Sequence, residues 1–232
     1  MIRKYELDII IPVYNESANI SSVLDALIKY VKTPFRVLIC YDYEDDNTLP
    51  VVDTYDSSII NIMKVKNKGK GVFEAVITGF EKSDAPCVVV LPADDDYNAK
   101  IIDVMYAKFT EGCEIVSASR FMKGGCMKGA PFLKSFLVRA ASYSLYWLRR
   151  IPVHDATNGF RLFSRRVLEE IPIESHYGFS FSLELLVKSY HRGWKICEVP
   201  ALWFERKKGK SRFRLREWFP EYLRWYFYAF RS

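Results

Sequence analysis

Between residues 7 and 91 the chain alternates short β-branched runs with segments of helical periodicity, and that order admits few folds. Leu7–Val13, Phe35–Tyr41, Ile59–Val65 and Cys87–Leu91 are short, rich in Val and Ile, and bounded by turn residues, the pattern of buried strands. Between them, Ser17–Val31 carries Ile20, Val23, Leu24, Leu27 and Ile28 at helical spacing, and Val72–Phe80 is also helical. A β-α-β-α order predicts a mostly parallel sheet with helices on both faces. Ligands of such sheets bind beyond the carboxyl ends of the strands. Three polar clusters fall there: Pro12-Val13-Tyr14-Asn15-Glu16, Asp42 through Asp46, and Asp94-Asp95-Asp96.

The second half is less regular. Glu114–Ser119, Phe160–Ser164 and Lys195–Val199 read as strands, and Phe132–Leu148 and Phe181–Tyr190 as helices. No internal repeat, low-complexity tract or Pro/Gly-rich linker interrupts them. With 232 residues, half of them apolar, the chain has enough material for one large core. The expected division is a main domain over 1–213 and a C-terminal amphipathic helix over 214–232. The opening MIRKYELDIIIPVYNE meets acids too soon for a signal peptide, and no run of ~18 apolar residues is free of charge, so no membrane span is expected. Cys40, Cys87, Cys113, Cys126 and Cys197 are scattered without a C-x-x-C pair, which predicts no disulfide framework and fits a reducing compartment.

Charge is unevenly spread. Residues 120–150 hold seven Lys/Arg and no Asp/Glu, and residues 200–232 hold nine against three, so the remainder is acidic although the whole chain is +6. Basic segments of this kind suit phosphates or an anionic surface, and the acidic one suits a metal. Alternate residues leaving a strand point the same way, so Asp94 and Asp96 can converge on one hard cation, which takes one or two carboxylates plus substrate phosphates. The plain alternative is a solvated turn, or capping ahead of a helix at Ile101–Phe109. Lys66–Gly71, KNKGKG, opens the helix at 72 and can present backbone N–H groups to an anion, though as a motif it is no more specific than a basic turn. Arg120 after Ser119, Lys123-Gly124-Gly125, Arg139, and Arg206 through Arg212 are candidate phosphate binders, because the guanidinium fork matches phosphate oxygens. His154-Asp155-Ala156-Thr157-Asn158-Gly159-Phe160 precedes a strand and can place Asp155 in a cleft. The three histidines share no metal-ligand spacing and no catalytic role is assigned to them.

In their order these motifs resemble family-2 glycosyltransferases of the GT-A fold, in particular the polyprenyl-phosphate branch that includes dolichol-phosphate mannose synthase. The resemblance runs from about Ile9 to about Arg214, through IIIPVYNESANI (9–20), VLICYDYEDDNT (37–48), NKGKGVFEAVITGF (67–80), VVVLPADDD (88–96), SASRFMKGG (117–125), HDATNGFRLF (154–163), FSLELLVKSYHRGWKICEVP (181–200) and FERKKGKSRF (204–213). It implies an α/β GT-A-type nucleotide-sugar-binding fold. It implies that Pro12, Tyr14, Glu16, Asp42, Gly71, Ala93 and Asp94 hold the nucleotide sugar, and that Asp94 and Asp96 hold Mg²⁺ or Mn²⁺. Arg120, Arg139, Arg206 and Arg212 are implied to surround an acceptor phosphate. Asp94, Asp96, Asp155 and Arg120 are implied to be the catalytic group, with Glu184 near the reaction centre. The chain departs from the family pattern where Tyr41-Asp42 replaces Asp-Asp and Pro92-Ala93-Asp94 replaces Asp-Ala-Asp.

The expected activity is metal-dependent, inverting transfer of a sugar from a nucleoside-diphosphate donor to a polyprenyl phosphate. A phosphate monoester already carries about −1.5 to −2 charges at pH 7 and needs cations rather than a strong base. Two alternatives stay open. One is a sugar-hydroxyl acceptor in cell-surface polysaccharide synthesis, with Asp155 or Glu184 as general base; the other is a catalytically silent nucleotide-sugar-binding module. No nucleic-acid partner is expected. The chain is expected to lie peripherally on the cytoplasmic face of a membrane. Its C-terminal helix would supply Leu215, Phe219, Tyr222, Tyr226, Ala229 and Phe230 as an apolar stripe, flanked by Trp218 and Trp225, with Pro220 kinking or splitting it. A second stripe, Leu133, Leu137, Ala141, Leu145 and Leu148, lies on Phe132–Leu148. The competing expectation is that both helices pack on the sheet.

Overall fold

The computed structural model of the protein describes residues 5–205 and 215–231, with residues 133, 134 and 215–217 described by their backbone alone. In chain order the elements are β1 (Leu7–Val13), α1 (Ile20–Tyr30), β2 (Phe35–Tyr41), α2 (Thr48–Val52), β3 (Ile62–Lys66), α3 (Val72–Lys82), β4 (Cys87–Val90), α4 (Ile102–Thr110), β5 (Ile115–Ser119), β6 (Cys126–Lys128), α5 (Phe132–Arg149), β7 (Arg161–Ser164), α6 (Arg165–Glu170), α7 (Ser180–His191), β8 (Ile196–Pro200), β9 (Leu202–Phe204) and α8 (Leu215–Tyr228). Seven strands form one sheet in the order β3-β2-β1-β4-β7-β5-β8, and β6 pairs with β9. β7 runs antiparallel to β4 and β5, while the other pairs of the large sheet are parallel.

Successive side chains of a strand face opposite sides. Ile9 and Ile11 therefore join the apolar cluster under α1, α2 and α4, while Ile10 joins the cluster formed with α3, α6, α7 and α8. Burial on both faces is why β1 reads as a continuous apolar run rather than an alternating one. The sheet grows from β1 through β2 to β3, then returns to place β4 on the other side of β1. That reversal opens a crevice between the carboxyl ends of β1 and β4. β4, β5 and β8 point the same way as β1 and β2, and β7 points back, so the residue 154–160 loop that enters β7 reaches the same sheet edge. One edge thus collects the ends of β1, β2, β4 and β5 together with the loop before β7.

Several boundaries shift from the sequence-based expectation. β3 begins at Ile62 rather than Ile59, because the N–H groups of Ile59 and Ile60 both close on the Asp56 carbonyl in a turn that leaves Ile59 exposed. α1 begins at Ile20, since Asn19 and Ile20 turn back onto the Glu16 carbonyl. The cysteines are corrected too. Cys113 and Cys197 are joined in a disulfide, with Cα atoms 6.0 Å apart, while Cys40, Cys87 and Cys126 are free. Spacing hides this pair because β5 and β8 become neighbours only in the folded sheet. The inference of a reducing compartment loses its footing with it.

The C-terminal helix is also different. α8 is one helix with Pro220 inside it, and it packs on α7. Trp225, expected at the flank of an apolar stripe, is the centre of the packed side at 1% exposure, and its Nε1–H donates to Ser175 Oγ at 2.8 Å. Phe219, expected within the apolar stripe, is exposed. Trp218 lies so close to Gly178, at φ +59°, that a Cβ there would stand 2.5 Å from the indole. On α5, Leu137 and Leu148 of the expected stripe face outward, while Leu145 and Ser142 are buried. Removing the chain after Arg214 is therefore expected to cost stability, by at least about 3 kcal/mol from the loss of Trp225 alone. Thermal unfolding of the truncated protein checks this, and an unchanged Tm would make α8 an appendage after all.

Candidate active site

The crevice begins at the end of β1, where Asn15 takes a left-handed φ of +56°. That conformation is held from the neighbouring strand end. Asp46 Oδ2 accepts from the Asn15 N–H at 2.9 Å, its Oδ1 accepts from the Thr48 N–H at 2.8 Å, and the Glu16 N–H donates to Thr48 Oγ1 at 2.9 Å. Glu16 in turn accepts from Asn19 Nδ2. Tyr14 and Glu16 are thus set on a loop pinned to the β2–α2 connection, just past Pro12 in β1. Tyr14 and Tyr43, both exposed, stand with ring centroids 6.0 Å apart, and Lys70 Nζ lies 5.1 Å above the Tyr43 ring. An exposed aromatic pair with a cation suits a planar, anionic ligand.

Asp42 is committed within the protein. Its carboxylate accepts from the Gly71 N–H at 2.9 Å and from Asn67 Nδ2 at 2.7 Å. Gly71, at φ +90°, is the N-cap of α3. At the helix N-terminus that the KNKGKG stretch was expected to offer to an anion, the N–H of Gly71 is engaged by this carboxylate, whose charge also suits the helix dipole.

The acidic triplet lies in a turn past β4, where the Asp95 N–H donates to the Pro92 carbonyl. Asp95 accepts from Asn98 through both the backbone N–H and Nδ2, and Asn98 bridges to the backbone of Leu202 on β9. Burial pushes the Asp95 carboxyl up to about 6; the Asn98 hydrogen bonds oppose that, and the charges of Asp94 and Asp96 add to it. Asp94 and Asp96 stay half-buried on either side, just beyond β4, with Ala93 buried beneath. No group of three or more His, Cys, Asp or Glu residues forms a metal cage among the described residues. Two carboxylates with all-oxygen chemistry fit a hard divalent cation that draws its remaining ligands from a substrate diphosphate.

On the far side of the crevice Arg120 leaves β5 and meets Asp155. Nε and Nη2 donate to the two carboxylate oxygens at 2.6 and 2.9 Å, the Arg120 N–H adds a third bond, and Nη2 also reaches Thr157 Oγ1. Asp155 is fully buried and Arg120 nearly so. Burial pushes the Asp155 carboxyl up, but the charge and hydrogen bonds of Arg120 and the charge of Arg161 prevail and hold it below the usual carboxylate range. The Nη1 end of the Arg120 fork is not used in these bonds. Phe121 lies between two guanidinium groups, with Arg120 Cζ 5.0 Å and Arg139 Cζ 4.5 Å from its centroid. Arg139, on α5, donates to Ser135 Oγ. The fold therefore brings together two arginines that lie far apart in sequence. Arg206 and Arg212 lie outside the described residues.

Sequence reasoning passed over the residues that fix this geometry. Arg161 is fully buried, donates to the carbonyls of Asp155, Ala156 and Ser182 and to the hydroxyls of Ser117 and Ser182, and so locks the loop to β5 and α7. Burial lowers its guanidinium to about 10, which leaves it charged at neutral pH. His154 pairs through its N–H and Nδ1 with Glu198 on β8 and stacks on Tyr146. Glu184 is a correction. It is buried on α7, accepts from the N–H groups of Glu174 and Ser175, and pairs with Lys188 one turn along the same helix. All those bonds run to the segment under α8 and none to the sheet edge, because the helical register turns Glu184 away from it. A separate groove, lined by Ile77, Phe80, Arg165 and Leu168, contains none of the candidate residues.

The glycosyl transferase family 2 model matches residues 8–172. The dolichyl-phosphate hexose transferase of Haloferax volcanii is 30% identical over 201 residues, covering 87% of this chain and 84% of that protein. The polyprenol monophosphomannose synthase of Mycolicibacterium smegmatis is 24% identical over 228 residues, 90% of this chain and 85% of the relative. The dolichol-phosphate mannosyltransferase of Pyrococcus furiosus is 26% identical over 224 residues, and the chain spans 62% of its length. Among solved structures, glucosyl-3-phosphoglycerate synthase from Mycobacterium tuberculosis, in complex with Mn²⁺, UDP and phosphoglyceric acid, superposes with a TM-score of 0.74 at 16% identity, over 97% of this chain and 78% of that one.

Proposed function

The chain belongs to glycosyl transferase family 2, and from that premise we propose that it transfers a sugar from a nucleoside-diphosphate donor to a polyprenyl phosphate with inversion at the anomeric carbon. It is a glycosyltransferase of the GT-A fold. The observation that carries the choice of acceptor is the state of the two buried carboxylates. A sugar hydroxyl needs a general base within reach. Asp155 has both oxygens bound to Arg120 and is held ionised below the usual range, and Glu184 is bound to Lys188 and two N–H groups elsewhere. A phosphate acceptor needs no base; it needs cations, and Arg120 and Arg139 stand together at Phe121. The names of three relatives, which refer to dolichol, dolichyl phosphate or polyprenol, agree with this reading.

In the proposed reaction an acceptor phosphate oxygen, held by Arg120 and Arg139, attacks the anomeric carbon from the face opposite the donor diphosphate. The bond from that carbon to the diphosphate breaks, and the nucleoside diphosphate leaves with the electron pair. Asp94 and Asp96 would hold Mg²⁺ or Mn²⁺, which would neutralise charge developing on the leaving group. A solved structural neighbour contains Mn²⁺ with UDP, in keeping with that assignment. Tyr14, Tyr43 and Lys70 would line the nucleoside end, with Asp42 and Gly71 shaping the wall behind them. Rate acceleration comes mainly from orientation and charge stabilisation. The acceptor's apolar chain lies in a bilayer, so this reading puts the protein at a membrane surface.

The test is a donor screen with UDP-, GDP- and other activated sugars, a short polyprenyl phosphate and Mn²⁺, scored by mass. A sugar joined to the lipid phosphate is the expected product; donor hydrolysis alone, or transfer only to a sugar hydroxyl, would overturn the assignment. In the same assay Arg139→Ala is expected to raise the apparent acceptor KM roughly tenfold or more, the scale of a lost charge-assisted contact. Donor binding measured without acceptor should stay near wild type, and its loss would move Arg139 to the donor diphosphate.

A further inference from the structure

The two arginines that the proposed function gives to the acceptor phosphate stand on different elements. Arg120 follows β5 and is held by Asp155, in the loop that enters β7, while Arg139 is on α5. They meet across Phe121. Their spacing therefore depends on how α5 is seated against the loop before β7. A ring stack, a hydrogen bond and a second aromatic pair make that seat. The His154 ring stacks on Tyr146 of α5, with centroids 4.1 Å apart and planes 27° apart. The Ala156 N–H donates to Ser142 Oγ at 3.3 Å, and Tyr143 lies against Phe121 with centroids 6.1 Å apart. On an ideal helix the step from Arg139 to Tyr146 is nearly two full turns, so the two fall within about 20° of one another around the axis. A ring held against Tyr146 fixes the rotation of α5 on the side that carries Arg139.

His154 is itself held from the sheet. Its backbone N–H donates to Glu198 Oε2 at 2.8 Å, and its Nδ1 bonds to Oε1 of the same carboxylate. An ionised carboxylate only accepts, so Nδ1 carries the proton in this pair. The hold at two points sets both the place of the backbone and the direction of the ring. Glu198 stands on β8 beside Ser117 of β5, and that same pair of strands continues to Ser119, the residue before Arg120. The residue after His154 is Asp155, whose carboxylate grips Arg120. One imidazole thus joins β8 to α5 and, through a single peptide unit, to the carboxylate that holds the other arginine.

We propose that His154, clamped by Glu198 and stacked on Tyr146, is a positioning residue for the acceptor phosphate and sets the spacing of Arg120 and Arg139. The proposal rests on the phosphate acceptor of the proposed function. A phosphate gripped by two guanidinium groups answers to their separation, and a misplacement of about 1 Å costs up to about a hundredfold. The hold runs through β8, α5 and the loop before β7, whereas the donor side lies at the ends of β1 and β2, so the acceptor feels its loss and the donor does not. A carboxylate–imidazole pair is also one form of general base. Asparagine separates the two roles: its amide nitrogen takes the place of Nδ1 and donates to Glu198, but it has no basic nitrogen.

The experiment measures, on the full chain, transfer to a short polyprenyl phosphate and, without donor, calorimetric binding of that same phosphate. His154→Ala is expected to raise both acceptor KM and acceptor Kd about tenfold or more, with a much smaller change in kcat and an unchanged donor Kd. His154→Asn should recover most of that loss. Glu198→Ala should match His154→Ala, and the double variant should be no worse than either, because each removes the same clamp. Thermal unfolding of each variant accompanies the kinetics. Should His154→Ala fail to fold, Tyr146→Leu carries the test, since it keeps an apolar side chain on α5 and removes the stacked ring; acceptor KM must then rise by itself. The proposal is overturned if the acceptor constants do not move in folded His154→Ala, or if donor binding falls with them. It is also overturned if His154→Asn abolishes kcat and removes a limb of the pH–rate profile, which would make His154 a general base for a hydroxyl acceptor. Normal wild-type turnover with unresponsive variants overturns this proposal alone. A wild type that neither binds nor glycosylates the lipid phosphate overturns the acceptor assignment, and the proposal with it.

Discussion

Asp94→Asn and Asp96→Asn are each expected to lower turnover roughly a hundredfold or more, and to weaken its dependence on divalent cation, because each removes a charged oxygen ligand from the leaving group's counter-ion. Asp95→Asn is expected to behave differently. Asp95 accepts three bonds from Asn98, and an amide there would turn one donor toward another. The cost falls on the turn that fixes Asn98 to β9, about 1–2 kcal/mol of stability, with turnover largely kept. A metal titration of kcat together with thermal unfolding separates the two effects. A lethal Asp95→Asn beside a silent Asp96→Asn would mean that the triplet is registered the other way round, with Asp95 on the cation.

Asp155→Ala is expected to cost about 3–5 kcal/mol, because it leaves a nearly buried guanidinium and a backbone N–H without their acceptor. Asp155→Asn should cost less, since the amide oxygen still accepts one bond. The pH dependence follows from the direction of the shift. Asp155 is held lower in the folded protein than in the unfolded chain, so its contribution is fully present above the unfolded carboxylate value of about 3.9 and is lost as pH falls below it. Wild type should therefore lose stability in that acid range more steeply than Asp155→Asn. Activity separates a positioning role from a basic one. If Asp155 holds Arg120 for the acceptor phosphate, Asp155→Asn raises acceptor KM and leaves the shape of the pH–rate profile intact. If Asp155→Asn instead keeps KM, abolishes kcat and removes a limb of that profile, Asp155 is a general base and the acceptor is a hydroxyl. Arg120→Lys should mimic the KM effect, since an ammonium cannot reproduce a two-pronged bond to Asp155 while reaching a second anion.

The sequence carried the elements and their order, because burial on two faces demands unbroken apolar strands and burial on one demands helical spacing. Those local demands are visible in Leu7–Val13 or Ile20–Tyr30 without any knowledge of their neighbours. Strand order then follows closely enough to put residues 12–16, 42–46 and 94–96 at one sheet edge. What spacing could not express is which partner each polar group takes. Asp42 and Gly71, 29 residues apart, close on one another, as do Arg120 and Asp155 across 35. Cys113 joins Cys197 across 84 residues. Asp155 and Glu184 look alike as acidic residues in the second half of the chain, yet one fixes an arginine at the crevice and the other supports α8. Trp225 and Trp147 are equally apolar in sequence, and one is sealed against Ser175 while the other faces solvent. A hydrogen bond or a packed ring depends on groups within a few ångströms in space, and only the closed sheet, with β7 reversed between β4 and β5, decides which groups those are.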